Sequence, residues 1–166
     1  MIRRTLLTGL AALLLLGCGS QTKTVDATYY LVRHAEKTAE KLDPGLTQAG
    51  QKRASDLADR LSKIPLTAVY SSDYIRTRDT AAPIAILKNL EVILYDPRDL
   101  DSFAKGIVKQ NGHILIVGHS NTTPQLSALL GGPEGTAIVE ATEYDRLYIL
   151  ERRGENVTGR IETYGE

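Results

Sequence analysis

The run Ile114-Leu115-Ile116-Val117-Gly118-His119-Ser120-Asn121 passes from four consecutive apolar residues, three of them β-branched, straight into polar ones. Side chains alternate between the two faces of a strand, so an unbroken apolar run implies burial on both faces. That is the condition of a central strand in a parallel sheet covered by helices. The turn signal Asn111-Gly112 precedes this strand. A helix over Thr122–Leu130 is expected after it, with Pro124 in its first turn and Gly131 past its end.

Working outward, the same alternation recurs. Thr28–Val32 (TYYLV) is an apolar, β-prone run that stops at Arg33-His34. Ala54, Leu57, Ala58 and Leu61 recur at helical spacing, which predicts a helix over Leu46–Leu61 with Thr47 at its N-cap. Thr67–Ser71 reads as a strand and Asp73 to about Leu87 as a helix that Pro83 can kink. Glu91–Tyr95 is a third strand and Leu100–Val108 a short helix. Arg146–Leu150 and Val157–Tyr164 flank Gly154-Glu155-Asn156, a hairpin pattern. The fold class is therefore α/β: a three-layer α/β/α sandwich with a mostly parallel sheet and an antiparallel C-terminal edge hairpin.

The chain has 166 residues, a length suited to one domain, with 42% hydrophobic and 24% charged residues. Twenty Lys+Arg balance twenty Asp+Glu, which argues against a nucleic-acid partner held by bulk charge. With no Trp and one Phe there is no stacking platform for single strands. One Cys excludes an intramolecular disulfide and a Cys-based zinc cluster. Three His without a companion motif make no case for a metal, and no cofactor is expected.

The N-terminus reads as an address. A basic head, Arg3-Arg4, leads into the apolar run Leu6–Leu16, too short to span a bilayer permanently but of the size of a secretory h-region. Leu15-Leu16-Gly17-Cys18 resembles a bacterial lipobox, and the resemblance implies a signal peptide over 1–17 and lipidation of Cys18. Residues 18–27 would then be the lipidated cysteine and a polar tether, and 28–166 the folded domain, held at a membrane by acyl chains. The implied location is the cell envelope, facing the periplasm or exterior; Gly19 rather than Asp after the Cys resembles outer-membrane sorting. Without Arg3 and Arg4 the net charge is about −2.

In α/β folds ligands bind beyond the carboxyl ends of the strands. There stand Arg33, His34, Glu36 and Lys37; Ser71, Ser72, Asp73 and Arg76; Asp96 and Arg98; and His119, Ser120 and Asn121. Two histidines and several cations, drawn from distant segments, thus gather at one sheet edge. Neutral imidazole can attack phosphorus and guanidinium groups can hold the phosphoryl oxygens, so the constellation points to phosphoryl transfer through a histidine nucleophile. Clustered cations should keep that histidine neutral.

Tyr30-Leu31-Val32-Arg33-His34-Ala35-Glu36-Lys37 resembles the RHG-type signature of the histidine phosphatase, or phosphoglycerate mutase-like, superfamily. Leu46-Thr47-Gln48-Ala49-Gly50, Ser71–Ala81 and Val117-Gly118-His119-Ser120 are similar to three further elements of that family, in order. The resemblance implies His34 as the phosphorylated nucleophile, Arg33 and Arg76 as phosphate clamps, and His119 as the second histidine on the phosphoryl group. Arg78 competes with Arg76, and Lys37 falls where a further cation often stands. Ala35 replaces the usual Gly. The family's general acid has no obvious counterpart, because position 120 is Ser; Asp96 is the first candidate, with Glu36, Asp99 and Asp101 as alternatives.

The implied function is metal-independent hydrolysis of a phosphomonoester, or a phosphoramidate, on a phosphorylated small molecule or macromolecule. The alternative is a non-catalytic phospho-ligand-binding or envelope interaction lipoprotein. Simpler roles are expected for other residues: His113 at the start of its strand, Tyr29-Tyr30 in strand packing, Ser71, Ser72 and Asp73 capping the helix of Arg76, and Asn121 as an N-cap. The Gly118–Thr122 segment lacks the second Gly of a nucleophile elbow, and no His follows His119.

Overall fold

The computed structural model describes residues 25–165; the expected leader, Cys18 and most of the tether lie outside these described residues. The elements alternate in chain order: β1 (Ala27–Arg33), α1 (Gln48–Leu61), β2 (Leu66–Ser72), α2 (Ile75–Lys88), β3 (Val92–Tyr95), α3 (Leu100–Ile107), β4 (Gly112–Gly118), α4 (Thr122–Leu129), β5 (Arg146–Arg153) and β6 (Asn156–Thr163). They form one six-stranded sheet in the order β3-β2-β4-β1-β5-β6. The first four strands in that order run parallel, while β5 pairs antiparallel with β1 and β6 antiparallel with β5. The mixed α/β sheet with its C-terminal hairpin is the expected architecture. Strand β1 starts one residue earlier than its composition indicated, since Ala27 is paired in the sheet and the Asp26 amide donates to the Arg152 carbonyl at 2.8 Å.

The alternation of side chains divides the core in two. Tyr30, Val32, Leu115, Val117, Leu147 and Ile149 point to the face covered by Leu57, Ala58 and Leu61 of α1 and Ala81, Ile84 and Ala85 of α2. Tyr29, Leu31, Ile114, Ile116, Tyr148 and Leu150 point to the other face, under Leu100, Ala104 and Ile107 of α3 and Leu126 of α4. Strands β1 and β4 are buried on both faces, which accounts for their continuous apolar runs. Helix α2 continues through Pro83 to a left-handed C-cap at Asn89.

Two local features position the loop after β1. Thr47 caps α1 through a side-chain bond from the Gly50 amide, and its own amide donates to the Glu36 carbonyl at 2.9 Å. The first turn of α1 lies so close to that loop that a Cβ at Gly50 would come within 2.3 Å of the Glu36 carbonyl oxygen, so only glycine fits. Ala35 is fully buried against Leu46 and Ala54, and its amide donates to Thr80 Oγ1 at 2.9 Å. A small side chain is required there, and alanine meets the need.

Candidate active site

The register of β1 against β4 pairs Arg33 with Gly118, and the His34 amide donates to the Gly118 carbonyl at 2.9 Å. The residues that follow the two strands are consequently side by side: the rings of His34 and His119 are 5.5 Å apart, edge to face. Both line a cavity of about 540 Å³ beyond the strand ends, together with Lys37, Tyr74, Arg76, Arg98 and Glu140. Arg33 flanks His34 from inside the protein, almost wholly buried.

His34 Nδ1 lies 2.8 Å from the Ala35 carbonyl. A carbonyl only accepts, so Nδ1 carries the hydrogen and Nε2 keeps its lone pair. Burial pushes the His34 pKa down to about 3, opposed by the bond to Ala35 and reinforced by Arg33, Arg76 and His119. His119 falls to about 4, again through burial first and then Arg76 and Arg33. Both rings are thus neutral near pH 7. The surrounding cations contribute as expected, but removal from water is the larger cause.

His119 is held on both nitrogens. Arg76 Nη2 approaches Nδ1 at 3.4 Å, and Nε2 lies 2.9 Å from Ser72 Oγ. Guanidinium only donates, so Nε2 carries the hydrogen and gives it to Ser72 Oγ, which in turn donates to Thr77 Oγ1 at 3.1 Å. Ser72 therefore orients the second histidine. The expected capping by Ser71, Ser72 and Asp73 is not what starts α2: its N-cap is Tyr74, without a side-chain bond, and the Ile75 amide is satisfied by Asp43 Oδ1 at 3.0 Å. Asn121 likewise stands at the N-cap of α4 without a side-chain bond.

Arg76, in the first turn of α2, lies over the Tyr74 ring at 4.5 Å, with Asp43 3.7 Å from Nη1. Arg33 stacks on Tyr144 at 4.0 Å, and its two terminal nitrogens donate to the carbonyls of Glu143 and Glu140, each at 2.8 Å. Among the described residues the buried side-chain nitrogens without a hydrogen-bond partner are Nε of Arg33 and Nε of Arg76. Such donors are costly to leave unpaired, and Arg76 lines the cavity beside the histidines, where an anion would meet its guanidinium group. Arg78 points away, paired with Asp73.

The sequence candidates for a general acid are placed elsewhere. Asp96 does not line the cavity with the histidines; its carboxylate accepts from the Arg98 amide and from Arg98 Nε and Nη2 at 2.9–3.0 Å. Those bonds hold its pKa below the ordinary carboxylate value, which favours the form that cannot give up a proton. Glu36 is paired with Arg53 at 2.8 Å. Asp99 caps α3 through the Ser102 amide, and Asp101 is exposed in the first turn of that helix. Lys37 does stand in the cavity wall, as does Arg98. Glu140, Tyr144, Tyr74 and Asp43 were not found from the sequence. The first two reach the site through bonds and stacking with Arg33, more than a hundred residues away in sequence, where no local pattern could reveal them.

Comparison with known proteins bears on the same elements. A sequence model of the histidine phosphatase superfamily, branch 1, matches residues 29–98. Phosphoserine phosphatase 1 of Hydrogenobacter thermophilus is 47% identical over 73 residues, 40% of this chain and 35% of that protein. The match thus spans about a third of the curated relative. Among solved structures, the protein histidine phosphatase SixA, complexed with tungstate, superposes with a TM-score of 0.66 at 16% identity, covering 82% of this chain and 96% of that one. A phosphoserine phosphatase mutant from Entamoeba histolytica, in complex with phosphoserine, gives 0.59 at 15% identity, with 83% and 96% covered. These likenesses establish the shared fold. The stretch similar to the histidine phosphatase superfamily model supplies Arg33, His34 and Arg76, and the sheet brings His119 to them from outside it.

Proposed function

We propose that the protein is a phosphatase that hydrolyses phosphomonoesters through a phosphohistidine on His34. The observation that carries this reading is the His34–His119 pair, its rings 5.5 Å apart and flanked by two arginines whose buried Nε atoms have no partner. In the proposed first step Nε2 of His34 attacks phosphorus while Nδ1 stays tied to the Ala35 carbonyl. Arg33 and Arg76 neutralise the charge on the equatorial oxygens, His119 packs beside His34 and meets Arg76 through Nδ1, and Lys37 adds a further cation at the rim. Water then attacks phosphorus in line with the P–N bond, releasing phosphate and restoring neutral His34.

The names of the relatives, a phosphoserine phosphatase and a protein histidine phosphatase, support an ester or a phosphoramidate as substrate. The cavity of about 540 Å³ opens at the surface beside exposed Tyr74 and Arg98, which suits a phosphoryl group on a small molecule or on a larger one. We propose further that Cys18 is lipidated and that the domain works at the envelope surface, on the strength of the lipobox-like Leu15–Cys18.

The test is phosphate release from p-nitrophenyl phosphate by the full-length protein, with EDTA present and His34→Ala as control. Turnover that survives EDTA and falls at least about 1,000-fold in the variant is the expected result, by analogy with the loss of a nucleophile elsewhere. If His34→Ala keeps wild-type turnover, the activity belongs to another group and the reading fails.

A further inference from the structure

The departing oxygen of an ester must be protonated, and the residues expected for that task are spent elsewhere. Asp96 is locked to Arg98, Glu36 to Arg53, and Asp99 to the α3 N-terminus. Among the described residues that line the cavity holding both histidines, the one that carries a carboxyl group is Glu140. Its side chain makes no hydrogen bond and no ion pair among those residues. Its main chain, by contrast, is fixed: the Glu140 carbonyl accepts from Arg33 Nη2 at 2.8 Å, from the guanidinium adjacent in sequence to His34.

The surrounding loop is tied down at several points. Arg33 Nη1 holds the Glu143 carbonyl at 2.8 Å, and Glu143 Oε2 accepts from the Val139 amide at 2.9 Å. Arg146, from the start of β5, pairs with Glu143 and donates to Thr136 Oγ1 at 2.9 Å. Tyr144 stacks under Arg33 and stands 6.1 Å from the His34 ring. A main chain so braced holds the Glu140 backbone at the cavity wall, so that only the side-chain rotamer remains to be ordered when substrate arrives.

We propose that Glu140 is the proton donor to the leaving group. This rests on the phosphatase reading above and adds to it the group that reading lacks. As His34 Nε2 bonds to phosphorus, the P–O ester bond breaks and the Glu140 carboxyl proton passes to the departing oxygen, giving a neutral alcohol and a carboxylate. In the second step the carboxylate takes a proton from the attacking water, the P–N bond breaks, and its electron pair returns to Nε2. Protons and charge balance over the cycle, and Glu140 ends protonated as it began.

A leaving group that is already a stable anion needs a donor little, whereas an alkoxide needs it greatly. The full-length protein and Glu140→Gln are therefore compared on p-nitrophenyl phosphate and on β-glycerol phosphate. The expected result is a loss of about 100-fold or more in kcat/KM on the alkyl ester and a loss at least ten times smaller on the aryl ester. Glu140 is exposed, so the melting temperature should be unchanged. Equal losses on both esters, a change in KM alone, or transfer of the leaving-group effect to Asp96→Asn would each overturn the role of Glu140 while leaving the phosphatase reading intact. A wild-type protein inert on both esters would overturn both.

Discussion

His34 and His119 are ordinary imidazoles placed where water is excluded. Their pKa values of about 3 and about 4 arise mainly from that exclusion, with the cations as a second cause. In the unfolded chain each would take up a proton near 6.5. Between that value and the folded one the unfolded state binds more protons, so stability rises with pH across the interval. The contribution is complete above about 6.5, is lost as pH falls through the folded values, and is flat below them. Histidine ring NMR signals should accordingly show no titration of either residue between pH 5 and 8; midpoints near 6.5 would contradict the account. The pair itself was legible in the sequence because each residue follows an apolar strand at once. The magnitude of the burial was not, since it depends on Tyr144 and the segment around Glu140, which a strand-end reading does not reach. Asp96 illustrates the opposite failure: its place after β3 was read correctly, but its pairing with Arg98, two residues on, was not.

At the scale of elements, the first turn of α1 serves as a support for the loop that carries His34. The Thr47 amide and hydroxyl both bond to the Glu36 carbonyl, and Gly50 lies against that same oxygen. A methyl group at 2.3 Å from a backbone oxygen forces either the helix or the loop to move. Gly50→Ala should destabilise the protein by about 1–3 kcal/mol in chemical denaturation. It should also lower kcat on p-nitrophenyl phosphate, because the loop it displaces begins at His34. Wild-type stability together with wild-type kcat would show that the contact is not needed. The helical periodicity of α1 and its Thr47 cap were visible in sequence because both are local. The start of α2 was not, because the donor at its first amide is satisfied by Asp43, thirty-two residues earlier, rather than by the serines next to it.

For the molecule as a whole, the parallel strands deliver their polar ends to one edge, and the antiparallel hairpin closes the opposite side of the sheet beside β1. The loop leading into that hairpin returns to the active edge, where Arg33 clamps it by two carbonyls. The order of elements, their polarity and the C-terminal hairpin were readable from apolar runs and turn signals, since each such signal spans only a few residues. That the segment before β5 would complete the site was not, because it has no apolar period and its tie to the site is Arg33, distant in sequence. The central claim is that His34 carries the phosphoryl group during turnover. It is tested most directly by rapid acid-free quenching of the full-length protein with labelled substrate, followed by mapping of the label. The account expects a base-stable, acid-labile phosphohistidine on His34, formed and discharged at rates that match turnover and missing in His34→Ala. Turnover in the wild type with no label on His34, or with the label on another residue, would contradict it.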